Sequence, residues 1–190
     1  MKQPTTDTSS GGFWDPITST IDWCEENYRV TRYVVEFWNA VSSLLYIVAA
    51  FVGLIGHRGL PFRYRAGFIG LALVGVGSTL FHGTLKYSMQ LLDELPMVYT
   101  EAYVLELFCG PLMRAILIAC MILYTVLYLW LRLPIIHQVT FGALQVLCSV
   151  IFYLGQRRSK DRNLHRCFWL SLGLSAFAFL LWNMDNHLCA

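Results

Sequence analysis

Long apolar stretches separated by short polar links occupy most of this 190-residue chain. Each stretch is close to the roughly 17–25 residues that a helix needs to cross a bilayer. None alternates with the period of a strand, and lipid offers no partner to unpaired backbone groups, so every stretch is predicted to be a helix. The six predicted spans cover residues 34–56, 66–85, 95–110, 112–131, 134–154 and 167–184.

Composition agrees with a membrane protein. Hydrophobic residues make up 56% and charged residues 14% of the chain, whereas soluble domains carry about 25% charged residues. The net charge of +2 is too small to indicate a nucleic-acid partner. We predict an all-α, polytopic membrane helical bundle, in which residues 1–33 form a polar N-terminal segment and residues 34–190 form a single transmembrane domain.

Basic residues are distributed unequally between the two sides of the membrane that six spans define. Nine lie on the side shared by the first, third and fifth links, and five lie on the side of the N-terminus. The positive-inside rule therefore predicts a lumenal or extracellular N-terminus. This orientation gathers the polar residues of several spans near the lumenal face, which predicts one site there. They are Glu36, Asn39, Ser78, His82, Asp93, Glu94, His137, Asn183, Asp185, Asn186 and His187.

Three of these residues carry a candidate chemistry. Ser78 and His82 are four residues apart and therefore share one helix face. A neutral imidazole is a common zinc ligand, a hydroxyl can donate to an oxyanion, and Asp93 could act as a general base or orient a metal-bound water. The alternative is a histidine at the membrane interface beside small packing residues, Gly75 and Gly77. One histidine is not a zinc site, because catalytic zinc takes three protein ligands.

The segment Asp22–Asn27, with Glu36 nine residues further on, is rich in oxygen donors. Carboxylates, an amide and a backbone carbonyl are the ligands that calcium takes, at six to eight oxygens. The spacing is not that of an EF-hand. The alternative is a solvated acidic loop at the N-terminus of a helix, which the helix dipole favours.

The cysteines differ in their predicted depth. Cys24 and Cys189 both lie on the lumenal side, where a disulfide between them could persist, although two free thiols are the alternative. The remaining cysteines lie in or at the edge of spans and are predicted to be free, because buried cysteine behaves as a small hydrophobic residue. They are Cys109, Cys120, Cys148 and Cys167.

Five separated blocks resemble the alkaline ceramidases, membrane amidohydrolases of the wider group that includes the adiponectin receptors. The blocks are residues 21–28, 36–39, 77–82, 92–96 and 182–186. The resemblance extends from about Trp14 to Cys189 and is strongest to the phytoceramidase-type branch. It implies hydrolysis of the ceramide amide bond to a sphingoid base and a fatty acid, in the membrane of the endoplasmic reticulum or Golgi.

The resemblance also implies roles for individual residues. His82 would be the first ligand of a catalytic zinc ion, Ser78 would support the oxyanion, and Asp93 would handle the proton of the zinc-bound water. Cys24 and Cys189 would form a disulfide. The implied calcium ligands are Asp22, Trp23 (through its carbonyl), Glu25, Asn27 and Glu36.

One departure from the family pattern bears on activity. The family has a seventh helix that opens with a His-x-x-x-His pair of zinc ligands, whereas no two histidines here are four residues apart. We therefore expect a truncated chain with an incomplete zinc site, unless His137 and His187 replace the missing ligands. Two alternatives to the enzyme stay open: a catalytically inactive membrane protein of the same family, and a receptor-like relative. The oligomeric state is left open.

Overall fold

A computed structural model describes the backbone of residues 11–188 and the side chains of residues 11–184. Within this part of the chain, six helices and no strands follow the irregular N-terminal segment, which confirms the all-helical prediction. The predicted domain boundary at residue 33 stays a prediction. The helices are α1 (Phe37–Gly56), α2 (Phe62–Thr84), α3 (Tyr87–Glu106), α4 (Pro111–Leu131), α5 (Pro134–Arg157) and α6 (Arg162–Leu188).

The described helices expose apolar side chains and bury polar ones. Leu45 is 68% and Trp130 78% exposed, whereas Glu36 and Gln90 are fully buried. This distribution, with apolar side chains outside and polar side chains inside, suits a bundle whose outer surface contacts lipid, because polar groups within the bilayer must face the interior of the bundle. Five of the six helices are long and apolar enough to cross a membrane, and α3 is the exception because it contains several acidic residues. The chain is therefore a multi-pass membrane protein.

Helix α3 begins earlier than predicted. The hydropathy pattern suggested a third span over residues 95–110, but the helix runs from Tyr87 to Glu106. Asp93 and Glu94 consequently lie inside the helix, and Pro96 also lies within it instead of at its start. The prediction was wrong because an acidic pair followed by proline is typical of a helix start. Here both carboxylates are buried against other helices, so the helix continues through them.

Two glycines place α2 in close contact with a helix on each side. A Cβ atom at Gly75 would lie 2.9 Å from the backbone nitrogen of Ile47 in α1, and one at Gly77 would lie 2.1 Å from the carbonyl oxygen of Leu92 in α3. Small residues allow helix backbones to approach in this way. The Leu92 carbonyl is also the one that Pro96 leaves without an intrahelical donor, because proline lacks an N–H group. Gly77 therefore packs against an irregular point of α3.

The remaining helices join through apolar contacts. Tyr124 and Tyr128 of α4, with Leu144 and Cys148 of α5, pack against the inner face of α3. Helix α6 lies beside α5, and none of its residues between Arg162 and Met184 is buried. The polar interior therefore lies mainly between the N-terminal segment and α1–α3.

Candidate functional site

Backbone hydrogen bonds join the start of α1 to the end of α2. The N–H of Glu36 donates to the carbonyl oxygen of His82 over 2.9 Å, and the N–H of Val35 donates to that of Gly83 over 3.1 Å. These bonds place the Glu36 carboxylate beside the imidazole, and Glu36 Oε2 contacts His82 Nδ1. Glu36 is fully buried and the His82 side chain is 12% exposed. The structure therefore pairs a residue predicted for calcium with one predicted for zinc.

Ser78 and Asp93 meet where Gly77 brings α2 against α3. The Asp93 carboxylate lies near enough to the Ser78 hydroxyl and to the His82 imidazole for its charge to interact with both. Ser78 and Asp93 are both buried at 8% exposure. The three predicted catalytic and zinc-binding residues are thus brought together from two helices. Sequence alone placed only Ser78 and His82 on a common face.

Ser43 of α1 is a member of this cluster that sequence reasoning missed. Its Oγ lies 3.0 Å from Ser78 Oγ and donates to the Asn39 carbonyl oxygen over 2.8 Å, and the residue is 4% exposed. A signal was present, because Glu36, Asn39 and Ser43 follow at helical spacing along one face at the start of the first span. Polar residues at that spacing in an apolar stretch indicate a face turned toward the bundle interior.

Glu25 caps the N-terminus of α1. Its two carboxylate oxygens accept hydrogen bonds from the backbone N–H groups of Trp38, over 2.7 Å, and Asn39, over 2.9 Å. The residue at the N-cap position, Glu36, makes no side-chain cap of its own. A carboxylate at this position satisfies two otherwise unpaired donors and interacts favourably with the helix dipole. Glu25 thus has a structural role beside the predicted calcium role.

The other predicted calcium ligands surround the same helix end. The side-chain amide of Asn27 donates to the Asp22 carboxylate over 3.4 Å, and the N–H of Trp23 donates to Glu36 Oε1 over 3.0 Å. Asn27 Oδ1 is buried and has no hydrogen-bond partner among the described residues. A buried acceptor without a donor is unfavourable. This oxygen, next to carboxylates, is the donor type that calcium takes, but the described carboxylates of Asp22, Glu25 and Glu36 do not form a group that could hold a metal ion.

Of the residues predicted to bind zinc, His82 lies among the described side chains. Contact of Nδ1 with Glu36 leaves Nε2 of His82 for a metal, the arrangement in which a carboxylate orients a ligating histidine. Among the described side chains, no group of three or more His, Cys, Asp or Glu residues could hold a metal ion. His137 is engaged elsewhere, with Nδ1 3.2 Å from the Tyr124 hydroxyl. The side chain of His187 lies outside the described residues.

The cysteine predictions have different outcomes. The four cysteines predicted to lie in or near spans are free, as expected: Cys109, Cys120, Cys148 and Cys167. The Cys24–Cys189 disulfide stays a prediction, because Cys189 lies outside the described residues.

Comparison with known proteins places these residues in a family. The Ceramidase family profile matches residues 15–190. Alkaline ceramidase 3 of Mus musculus is 44% identical to this chain over an alignment that covers 94% of the chain and 70% of that protein. Alkaline ceramidase YPC1 of Saccharomyces cerevisiae is 36% identical, with coverage of 97% and 67%. An alkaline ceramidase of Arabidopsis thaliana is 27% identical, with coverage of 93% and 72%. Together, the profile match and these identities show that the chain belongs to the ceramidase family.

Proposed function

We propose that this chain is an alkaline ceramidase, which hydrolyses the amide bond of ceramide to a sphingoid base and a free fatty acid. One observation carries the proposal: a buried hydroxyl, carboxylate and imidazole lie together inside a bundle that is apolar outside, in a chain of the ceramidase family. Buried polar groups in a membrane protein are expensive and typically functional. The name of the mouse relative supplies the substrate class.

Each residue of the cluster has a role in amide hydrolysis. Asp93 accepts a proton from the attacking water and returns it to the leaving amine, as a general base and then a general acid. Ser78 donates a hydrogen bond to the oxyanion that develops on the amide carbonyl. Ser43 Oγ lies 3.0 Å from Ser78 Oγ, while its own proton is donated to the Asn39 carbonyl over 2.8 Å, so this contact helps to hold the Ser78 side chain in place.

His82 and Glu36 form the metal-binding side of the cluster. The Glu36 carboxylate contacts Nδ1 of the imidazole, which would leave Nε2 to hold a metal ion. A zinc ion bound there would polarise the amide carbonyl and lower the pKa of a bound water. His82 is the one zinc ligand that we assign within the described residues.

Two apolar clefts flank α3 and suit the lipid tails of ceramide. The cleft between α2 and α3 has a volume of about 370 Å³ and includes Leu73 and Pro96. The cleft between α3 and α4 has a volume of about 430 Å³ and includes Leu117 and Met121. Pro96 lies less than one helical turn beyond Asp93, so the first cleft begins near the cluster. We assign one tail to each cleft.

We further propose a calcium site and a location. Calcium would bind Asp22, the Trp23 carbonyl, Glu25, Asn27 and Glu36 at the start of α1. The distribution of basic residues favours a lumenal N-terminus, and the location assigned is the membrane of the endoplasmic reticulum or Golgi.

The test is ceramide hydrolysis by the full chain, purified and reconstituted in phospholipid vesicles with zinc and calcium supplied. Wild-type protein should release sphingoid base, measured by mass spectrometry. Asp93→Asn should lower kcat at least about 100-fold, the size expected for loss of a general base, and His82→Ala should lower it at least as much because it removes a metal ligand. Ser78→Ala should lower kcat by a similar factor, as for loss of an oxyanion donor.

The matched control is Ser42→Ala, because Ser42 lies one residue from Ser43 on the exposed side of α1 and donates only to the Asn39 carbonyl. Its activity should equal that of the wild type. Folded wild-type protein that releases no sphingoid base under these conditions would instead identify an inactive or receptor-like member of the family.

A further inference from the structure

A second buried polar cluster lies on the other side of α3 from Ser78. Gln90 and Glu94 are four residues apart, and both side chains contact Tyr128 of α4; Gln90 also contacts Thr20 of the N-terminal segment. Gln90 and Tyr128 are fully buried, and Glu94 is 4% exposed. We call Thr20, Gln90, Glu94 and Tyr128 the α3–α4 network.

The polar groups of this network form hydrogen bonds with one another. The Tyr128 hydroxyl donates to Glu94 Oε2, and Gln90 Nε2 lies 3.3 and 3.2 Å from the two Glu94 oxygens. Gln90 Oε1 accepts from the Thr20 N–H over 2.8 Å. A satisfied network of this kind offers no free group to a ligand, and instead fixes the elements that it joins.

Glu94 directly follows Asp93 on α3, so the two carboxylates project about 100° apart around the helix axis. Asp93 lies where Gly77 of α2 meets the backbone of α3, beside Ser78, and Glu94 accepts a hydrogen bond from Tyr128 of α4. Rotation of α3 about its axis would therefore move both side chains together. Pro96 removes one backbone hydrogen bond of α3 in the turn that contains them, so the helix backbone itself holds this turn less rigidly.

We propose that Glu94 is a positioning residue: its hydrogen bonds with Tyr128 and Gln90 set the rotation of α3 that aims Asp93 at Ser78. Glu94 does not touch the reacting atoms and acts through Asp93. Thr20 extends the network to the segment just before Asp22, so the same bonds also fix the start of the acidic loop against α3. This inference rests on the proposed ceramidase function for its kinetic test.

The first experiment compares three variants of the full reconstituted chain with ceramide as substrate. Tyr128→Phe keeps the ring, which stacks on Tyr124 at 5.8 Å between centroids, and removes only the hydroxyl. It should lower kcat by about 10–100-fold and change KM less than twofold, because misplacement of a catalytic group by about 1 Å has an effect of this size. Glu94→Gln keeps an acceptor for the Tyr128 hydroxyl and should retain most of kcat.

Tyr124→Phe is the matched control. It removes another buried tyrosine hydroxyl of α4, which lies 3.2 Å from His137 Nδ1 of α5, and leaves the α3–α4 network unchanged. If buried tyrosine hydroxyls of α4 matter only for stability, Tyr124→Phe and Tyr128→Phe should lower kcat equally, and the proposal is then wrong. Unchanged kcat in Tyr128→Phe, with the chain folded, overturns it as well.

A second measurement does not depend on activity and so separates this proposal from the proposed function. Cysteines introduced as Ser78→Cys with Asp93→Cys should form a disulfide on mild oxidation, because the backbones approach closely at Gly77. Peptide mass spectrometry distinguishes this linkage from those of the native cysteines. Adding Tyr128→Phe should slow its formation several-fold, whereas adding Tyr124→Phe should not. Equal rates in all three backgrounds contradict a positioning role even if the wild type hydrolyses no ceramide.

Discussion

The N-terminal segment with α1–α3 differs from α4–α6 in how its interior is built. In the first region, glycines at positions 75 and 77 let α2 approach the backbones of its neighbours, and the buried side chains include carboxylates, hydroxyls and an imidazole. In the second region, α4 and α5 contact α3 mainly through aromatic and aliphatic side chains, with a buried polar contact from Tyr128 to Glu94, and Gly142 and Gly173 have no neighbour within 4 Å of an added Cβ. Most of the buried polar side chains among the described residues therefore belong to the closely packed region.

The two regions are packed differently because only the first contains the candidate catalytic side chains. A hydroxyl and a carboxylate that act on one substrate must keep their distance to within about 0.5 Å, which requires rigid supporting elements. Backbone-to-backbone contact at glycine provides that rigidity, because no flexible side chain lies between the helices. The second region presents apolar side chains to lipid and to α3, and packing of this kind tolerates more variation.

The largest effect should come from filling a glycine contact. Gly77→Ala places a Cβ 2.1 Å from a backbone oxygen of α3, so the helices must separate. We expect a loss of roughly 1–3 kcal/mol in the free energy of unfolding, typical of overpacking, together with loss of activity as Ser78 and Asp93 move apart. Unfolding in detergent micelles and ceramide turnover measure the two effects.

Gly142→Ala in α5 is the corresponding change in the second region. It meets no atom within 4 Å and should stabilise the chain by up to about 1 kcal/mol, the helix propensity difference. Equal destabilisation by the two substitutions would remove the distinction between the regions.

The next effect concerns the buried Glu36 carboxylate that contacts the His82 imidazole. Glu36→Gln weakens the hydrogen bond that orients the imidazole, and should lower zinc affinity by about 10–100-fold. The zinc affinity is measured as the amount of zinc retained per chain after dialysis against buffers of increasing zinc concentration. Glu26→Gln, in the same segment but with its side chain 75% exposed, serves as the control and should retain wild-type affinity. The same zinc content in both variants would show that Glu36 does not support the metal ligand.

Removal of the cap on α1 should have a smaller effect. Glu25→Ala leaves the N–H groups of Trp38 and Asn39 without their acceptor, and a lost N-terminal cap costs about 1 kcal/mol. The decrease in thermal midpoint should be larger with calcium present than with a chelator, because the side chain both caps the helix and binds the ion. A decrease that is identical in the two buffers would leave Glu25 with the capping role alone.

The smallest effect should come from an ion pair that links α3 to α4. Arg114 Nε lies 2.6 Å from Glu106 Oε1, with side chains 53% and 25% exposed. Pairs this accessible contribute less than about 1 kcal/mol. Arg114→Gln should therefore shift the thermal midpoint little, and less still at high salt. A shift as large as that of Gly77→Ala would mean that the second region is fixed as tightly as the first.

Local pattern was sufficient for much of this molecule. Six apolar stretches predicted six helices, because hydropathy over about 20 residues reflects the bilayer directly. The spacing of Ser78 and His82 predicted their common face. Pattern failed at α3, where Asp93 and Glu94 resemble a helix start, although burial against α2 and α4 lets the helix run through them.

By itself, the sequence determined the helical membrane class, and its resemblance to alkaline ceramidases is confirmed by the family match over residues 15–190. Only the tertiary structure decided which polar groups pair: Glu36 with His82, Glu25 with the N-terminus of α1, and Glu94 with Tyr128. The physical reason is the sequence distance over which each property is determined. Hydropathy and helical spacing are properties of neighbouring residues, whereas the partner of a buried carboxylate is fixed by whichever distant donor the packing of helices brings within hydrogen-bond distance.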